Sequence, residues 1–403
     1  MVHYHFRIMG RRNLFYLFGA TFFSYTTLCM LIPTFPAYVL DLGGNPAQIG
    51  MTWGAFTAGI LTFRPIVGRW TDRKGRRWVA ILGTFIFFLA PLLYAAFPSI
   101  SVLYLIRFFH GIGSAAFTTA SVTLVTDCTT VENRGHTLGL MGAANNLGFA
   151  IGPWLGSQLV SAGSYEMMFV TAAGLALVSL LAAWPIRELV RPLSSHRAVS
   201  YPRAVLRRGV LFPSSLLLVA AIIHTSIMTF LPVFLDEREL IRSGPYFLTL
   251  GLTMLTVRVF AGPLLNARAH RLVIALSLLG MMTAILIIVR TVDPRWLLMT
   301  AALYGVGFAT IRPVLTAFLA RHTPVNLRGT VFSFYEGSYD LGMSLSGVLL
   351  GLVANSFDLV AMFYVVIAVG LIGQLISIGL TDEGVQEPVE PAVILQEEQS
   401  MRQ

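Results

Sequence analysis

Glu336 and Asp340 stand four residues apart in an otherwise apolar stretch, so on a helix they share one face. An ionised group at the centre of a bilayer costs about 2.5–3.5 kcal/mol, so each of these acids needs a purpose. Arg312, in the preceding apolar stretch, enters at a depth similar to that of Glu336. This predicts a Glu336–Arg312 ion pair and leaves Asp340 as the freer acid. A carboxyl in a low-dielectric setting can load and release a proton near neutrality, and that is the chemistry of proton exchange. Arg107 lies within another apolar run, with His110 one turn deeper, and His224 lies alone in a third. An imidazole titrates in the right range for a proton carrier, although a single His among small residues is more often structural. Arg64 and Arg258 lie near the polar ends of two further runs. Each can snorkel its head group to the interface or meet an acid across a gap as part of a gate.

Other chemistries are missing. The chain has no phosphate-cradling Gly-rich loop, no metal-spaced His/Cys cluster and no nucleophile triad. An enzyme, a metal site, a cofactor and ATP-driven work are therefore not expected. Cys29 and Cys128 have no spacing that suggests a disulfide framework, and they read as small buried residues. A net charge of +9 raises the question of nucleic acid, but the basic residues lie in short loops and form no single face.

The elements that must position these groups are membrane spans. The 403 residues are 56% hydrophobic and only 12% charged, about half the charged share of a typical soluble domain. Apolar segments long enough to span a bilayer fall at 14–39, 48–69, 78–97, 101–124, 136–161, 166–186, 210–234, 244–266, 271–290, 295–319, 330–354 and 359–380. The first follows Arg7, Arg11 and Arg12 as a signal peptide would. It runs past the length of a signal core without an evident cleavage site, so it reads as a retained span. With the N-terminus in the cytosol, twenty Arg and Lys fall in cytosolic segments and four in external loops. That asymmetry orients the chain with both termini inside.

The fold expected is therefore an all-α integral membrane protein of twelve transmembrane helices. Residues 1–186 form an N-terminal six-helix bundle, 187–209 a cytosolic linker, 210–380 a C-terminal six-helix bundle and 381–403 an acidic, disordered cytosolic tail. The halves repeat at an offset of 194 residues. Thr62, Arg64, Gly68 and Arg77 recur as Thr256, Arg258, Gly262 and Arg271, and Gly111, Gly113, Arg134, Gly135 and Gly148 as Gly305, Gly307, Arg328, Gly329 and Gly342. Two homologous halves with a binding site between them at mid-depth is a transporter plan. Under the repeat, Asn146 matches Asp340 and Gly142 matches Glu336, so one half offers hydrogen bonds where the other offers charge. Tyr25, Asn145, Asn146, Tyr335 and Tyr339 are the expected lining of a substrate cavity, with Phe22, Phe23 and Phe56 beside them. Gly148, Gly152 and Gly156, spaced by four with Pro153 among them, let one span pack closely on a neighbour and bend.

Three motifs carry a family resemblance. Gly68-Arg69-Trp70-Thr71-Asp72-Arg73-Lys74-Gly75-Arg76-Arg77 resembles the signature loop of the major facilitator superfamily, between its second and third spans. Arg107 to Ala115 is similar to that superfamily's fourth-span motif. Gly148 to Gly156 is similar to the fifth-span motif associated with proton antiporters that export drugs. The resemblance covers nearly the whole chain. It implies a secondary transporter, a monomer in the cell's inner membrane, that exchanges protons for a small organic molecule through rocking of the halves. It also implies that Asp72, braced by Arg73 and set by Gly68, Gly75 and Arg76, latches onto the start of the eleventh span in the outward-open state. Arg107 would take part in proton coupling. A symporter or facilitator importing a sugar or organic acid, and a receptor that no longer transports, are the competing readings. The fifth-span motif speaks against the first, and the retained buried charges speak against the second.

The second copy of the signature loop keeps Gly262 and Arg271 but has Asn266 in place of the acid. Asp72→Asn is therefore expected to slow transport more than any change at Asn266. Equal losses of uptake rate in vesicles would refute that asymmetry.

Overall fold

The computed structural model describes residues 2–129, 131–188, 206–241, 243–260, 270–323 and 328–379. The expectations for the linker fall largely, and those for the tail wholly, outside the described residues. Twelve helices follow in order: α1 (Val2–Asp41), α2 (Pro46–Lys74), α3 (Arg76–Ala96), α4 (Ile100–Cys128), α5 (Val131–Ala162), α6 (Tyr165–Ala183), α7 (Arg208–Glu237), α8 (Ser243–Phe260), α9 (His270–Arg290), α10 (Pro294–His322), α11 (Arg328–Leu345) and α12 (Leu359–Ile378). α11 continues through a π-helical turn, Ser346–Leu350, into a last α turn, Gly351–Ser356.

Local chemistry sets the helix starts. Asn45 and Gln48 exchange backbone bonds in a capping box, with Pro46 at the first helical position of α2. Ser164, Asp293 and Asp358 each accept a backbone N–H at the starts of α6, α10 and α12. Among the described residues, nine stretches are long and apolar enough to cross a membrane. α2 and α5 fall short of that measure because Gly, Thr, Ser and Asn dilute their apolar content. α8 is the shortest of the remaining three, and 261–269 beyond it lie outside the described residues.

The 194-residue repeat is realised as packing. In the first six helices α1 packs on α5 and α6, α2 on α4, and α3 on α4 and α6. In the second six α7 packs on α11 and α12, α8 on α10, and α9 on α10 and α12. Each contact of one set is the other's shifted by six helices. The sets meet along two equivalent seams, α2 with α11 and α5 with α8, and also through α1 and α7.

Small residues make the seams and the inner walls. Gly148 and Gly152 of α5 lie on α1, where added Cβ atoms would come within 2.8 Å of the Thr26 nitrogen and 2.6 Å of its carbonyl oxygen. Gly156 lies against Met30 in the same way. On the α2–α11 seam Gly347, inside the π-helical turn, sits against Gly50, and Gly351 against Pro46. Gly244 of α8 meets Ser157 of α5 at the same end of the molecule. The Gly347–Gly50, Gly351–Pro46 and Gly244–Ser157 approaches join the halves at the end opposite the Gly68–Arg77 loop. A β-carbon at Gly152 would have to push against backbone, and overpacking of this kind costs about 1–3 kcal/mol. Gly152→Leu is therefore expected to lower the midpoint of thermal unfolding in detergent, whereas Gly139→Leu, in open space, should leave it nearly unchanged.

Candidate functional site

The α2–α11 seam carries an ion pair between the halves. Arg64 Nη2 lies 2.8 Å from Asp340 Oδ2, with the Asp340 side chain 6% exposed and that of Arg64 37% exposed. No aligned hydrogen bond reaches Asp340 Oδ2, so the attraction is mainly Coulombic. This corrects the expectation that Asp340 is the freer acid. Arg64 is well inside α2, and its arm spans the seam rather than snorkelling. The Glu336–Arg312 pair forms as expected, joining α11 to α10 within one half. Arg64 from α2 and Arg312 from α10 thus meet two acids one turn apart on α11.

Aromatic hydroxyls frame these charges. The Arg312 guanidinium lies 5.0 Å from the centroid of the Tyr339 ring. Tyr335 is fully buried, its hydroxyl 3.3 Å from that of Thr316 and donating at 3.4 Å to the Arg312 carbonyl. Tyr25 of α1 is half-buried and within electrostatic reach of Arg312, Arg64 and Glu336. Tyr25 and Tyr339 keep some exposed surface for a substrate to touch, whereas Tyr335 turns into the bundle.

On the equivalent α5–α8 seam, Arg258 reaches across to the Gly142 face of α5, where its Nη1 would lie 2.6 Å from an added Cβ. Asn146 is one turn further along and buried. Asn145 Oδ1 and Asn146 Nδ2 have no hydrogen-bond partner.

Arg107 and the two histidines sit in aromatic settings. Arg107 is 2% exposed, its guanidinium 3.6 Å from the centroid of Phe35 and 5.6–5.8 Å from those of Tyr94, Trp53 and Phe56. Among the described residues no carboxylate pairs with it. Ring faces supply about 0.5–2 kcal/mol each towards the cost of burying that charge. His110 Nδ1 lies 3.2 Å from the Tyr94 hydroxyl, between the rings of Phe56 and Phe87. His224 is stacked 3.7 Å from Phe308 at 5°, with Nδ1 3.3 Å from the Tyr304 hydroxyl. Tyr304 stands where the repeat places His110. The two Tyr–His contacts are thus built from different positions in the two halves.

The signature loop is tied into its own half. Gly75 joins α2 to α3 at φ +99°, a conformation L side chains rarely adopt. The Glu188 carboxylate accepts the backbone N–H groups of Arg76 at 2.8 Å and Arg77 at 3.0 Å, and so caps α3 where its dipole favours an anion. Arg76 Nε lies 2.6 Å from Asp127 Oδ2 at the end of α4, and Arg77 Nη2 donates to the Trp184 carbonyl at 2.9 Å. Gly68 has open space around it, and Arg73 is exposed with no ion pair among the described residues. Asp72 is in the last turn of α2, but its side chain and those at the start of α11 lie outside the described residues. Glu188 escaped the sequence reading because it closes a contact across more than a hundred residues from the edge of a polar linker.

Breaking one partner of a buried pair strands the other charge, while removing both does not. Arg64→Gln and Asp340→Asn are expected to be non-additive, with a coupling energy of about 1–3 kcal/mol in a double-mutant cycle of unfolding in detergent. Additive effects would mean that the seam pair contributes nothing.

Comparison with known proteins places this geometry. The family model described as Major Facilitator Superfamily matches residues 17–289 and 244–399. Multidrug resistance protein 2 of Bacillus subtilis (strain 168) is 27% identical over 380 residues, covering 88% of this chain and 93% of that protein. Quinolone resistance protein NorA of Staphylococcus aureus (strain COL) is 22% identical over 378 residues, covering 91% of this chain and 95% of NorA. Among solved structures, a bacterial homolog of the human lysosomal transporter Spinster, in an inward-facing and occupied conformation, aligns with a TM-score of 0.77 at 13% identity over 93% of this chain and 98% of that one. The repeated six-helix packing, the charged signature loop and the match along almost the whole sequence lead to one conclusion: the chain is a multi-pass membrane protein that belongs to the Major Facilitator Superfamily of transporters.

Proposed function

We propose that this protein is a proton-coupled antiporter that exports a small organic molecule, amphipathic or drug-like, by alternating access. The observation that carries the reading is the position of Asp340: a buried acid whose counter-ion, Arg64, belongs to the other half of the molecule. A proton added there changes both the charge of the site and what holds the halves together. The names of the similar bacterial proteins, multidrug and quinolone resistance, support export of drug-like molecules.

The cycle runs as follows. With the cytosolic end open, Asp340 is ionised and clasped by Arg64, and substrate enters beside Tyr25, Asn145, Asn146 and Tyr339. The loaded halves rock to open the external end, and substrate leaves. A proton from outside neutralises Asp340 and releases Arg64, and the empty, protonated carrier returns. Loss of the proton to the cytosol re-forms the clasp. Glu336 stays charge-balanced by Arg312 throughout, which keeps the titration on one acid. Arg107 and His224 act as secondary electrostatic neighbours of this route in their own halves.

The Gly68–Arg77 loop acts as the cytosolic latch. Its rigid mounting through Gly75, Glu188 and the Arg76–Asp127 pair supports that role, because it fixes where Asp72 and Arg73 are presented. Both termini are cytosolic, residues 1–186 and 210–380 are the rocking halves, and a monomer in the cell's inner membrane suffices.

In proteoliposomes, adding substrate against an imposed pH gradient is expected to drive proton movement in wild type. Asp340→Asn should lose at least about tenfold of the coupled flux, the loss expected when a proton-transferring group is removed. Proton movement that is unchanged in Asp340→Asn but absent in Glu336→Gln would move the carrier one turn along α11. Flux independent of pH would sink proton coupling altogether.

A further inference from the structure

The two seams between the halves are copies under the 194-residue repeat, yet they differ in charge. On one, Arg64 of α2 reaches across to Asp340 of α11 at 2.8 Å, with Glu336 one turn away and taken by Arg312. On the other, Arg258 of α8 reaches across to α5 and lies over Gly142, the position that matches Glu336. Asn146 holds the position of Asp340. The acid is therefore missing at both places where the repeat would put one. Arg258 makes no ion pair among the described residues. Its electrostatic neighbours are Arg312 and Tyr25, which supply another positive charge and a hydroxyl but no counter-ion.

A second feature points to an absent acceptor. Asn146 is 7% exposed, and its Nδ2 donates to nothing. An open buried donor is costly, and an Arg without an acid adds to that cost. Both costs disappear if something brings an oxygen pair to the seam. A guanidinium fork matches a carboxylate in bidentate geometry. The missing side chain at Gly142 leaves room for such a group beside Arg258. One turn beyond Asn145 on α5, the Phe149 ring stands 6.0 Å from His224, which is itself stacked on Phe308. That aromatic wall suits a flat apolar body.

We propose that Arg258 and Asn146 form a recognition site for an acidic group, best a carboxylate on an aromatic body, carried by the transported molecule. The substrate then supplies at the α5–α8 seam the charge that Asp340 supplies at the α2–α11 seam. This rests on the reading of the chain as an exporter and names the class of its substrate. The two sites occupy different seams, so Arg258 sets what is carried while Asp340 sets what drives it.

The test compares 1-naphthaleneacetate with its neutral amide, 1-naphthaleneacetamide, for binding to the full chain in nanodiscs at neutral pH. Wild type is expected to bind the acid about tenfold more tightly, the low end for a charge-assisted pair. Arg258→Gln should bring the acid down to the affinity of the amide and leave the amide unchanged. Asn146→Asp should also abolish the preference by giving Arg258 a carboxylate of its own, and Arg258→Lys should keep part of it. Wild type binding the two probes alike, or binding neither, overturns the proposal. So does a preference that survives Arg258→Gln or Asn146→Asp. If one variant is not monodisperse, the other decides, with its helical circular-dichroism signal as the control of fold. Binding in nanodiscs uses no proton gradient. An intact acid preference without proton exchange in liposomes would therefore sink antiport alone, and exchange without the preference would sink this site alone.

Discussion

The ion pair between Arg64 and Asp340 is the interaction on which the rest of the molecule depends. It is the point where the charge of the site and the contact between the halves are the same object. A carboxylate that is only 6% exposed needs its counter-ion, because an uncompensated buried charge costs several kcal/mol. That counter-ion comes from the other half, so the protonation state of one residue bears on the relation of two six-helix bundles. The Glu336–Arg312 pair next to it closes within a single half. Its charge balance therefore does not depend on the contact between the halves.

The surrounding architecture makes such a pair usable. Glycines at Gly50, Gly347 and Gly351 bring α2 and α11 into backbone contact at one end of the seam, and the π-helical turn Ser346–Leu350 falls at that contact. π-Helical turns inside α-helices are frequently found at functional sites. Gly148, Gly152 and Gly156 pack α5 closely on α1 within one half, as Gly342 packs α11 on α7 in the other. At the opposite end Gly75, Glu188 and Asp127 fix the charged loop to α3, α4 and α6. The pair lies between a tightly packed end and a rigidly mounted loop. In the proposed cycle, a small change of force there is read out as rocking, since packed interfaces tend to be bistable.

Much of this was legible in the residues. Span length, the Arg/Lys asymmetry and the 194-residue repeat led to an all-α fold of two equivalent halves. The packing repeats helix for helix, α1 on α5 as α7 on α11. The Glu336–Arg312 pair could be read because both lie at one depth on neighbouring spans. The partner of Asp340 could not, because which face of α2 meets α11 depends on helix rotation, and hydropathy does not encode that. The aromatic cage of Arg107 was hidden by the same dependence on helix rotation, and the Glu188 cap of α3 because it joins residues more than a hundred apart. The repeat did hold one more signal. Arg258 against Gly142 and Asn146 is the mate of Arg64 against Glu336 and Asp340, and comparing the two seams needed only the offset.

In the proposed cycle the proton on Asp340 and the substrate exclude each other through the Arg64 clasp. Proton release on substrate binding, followed with a pH indicator in weakly buffered detergent solution, tests it most directly. Release of up to about one proton per wild-type molecule is expected, largest where Asp340 is half-protonated beforehand, and none in Asp340→Asn. Release that persists in Asp340→Asn, or binding that releases no proton from wild type at any pH, would contradict it.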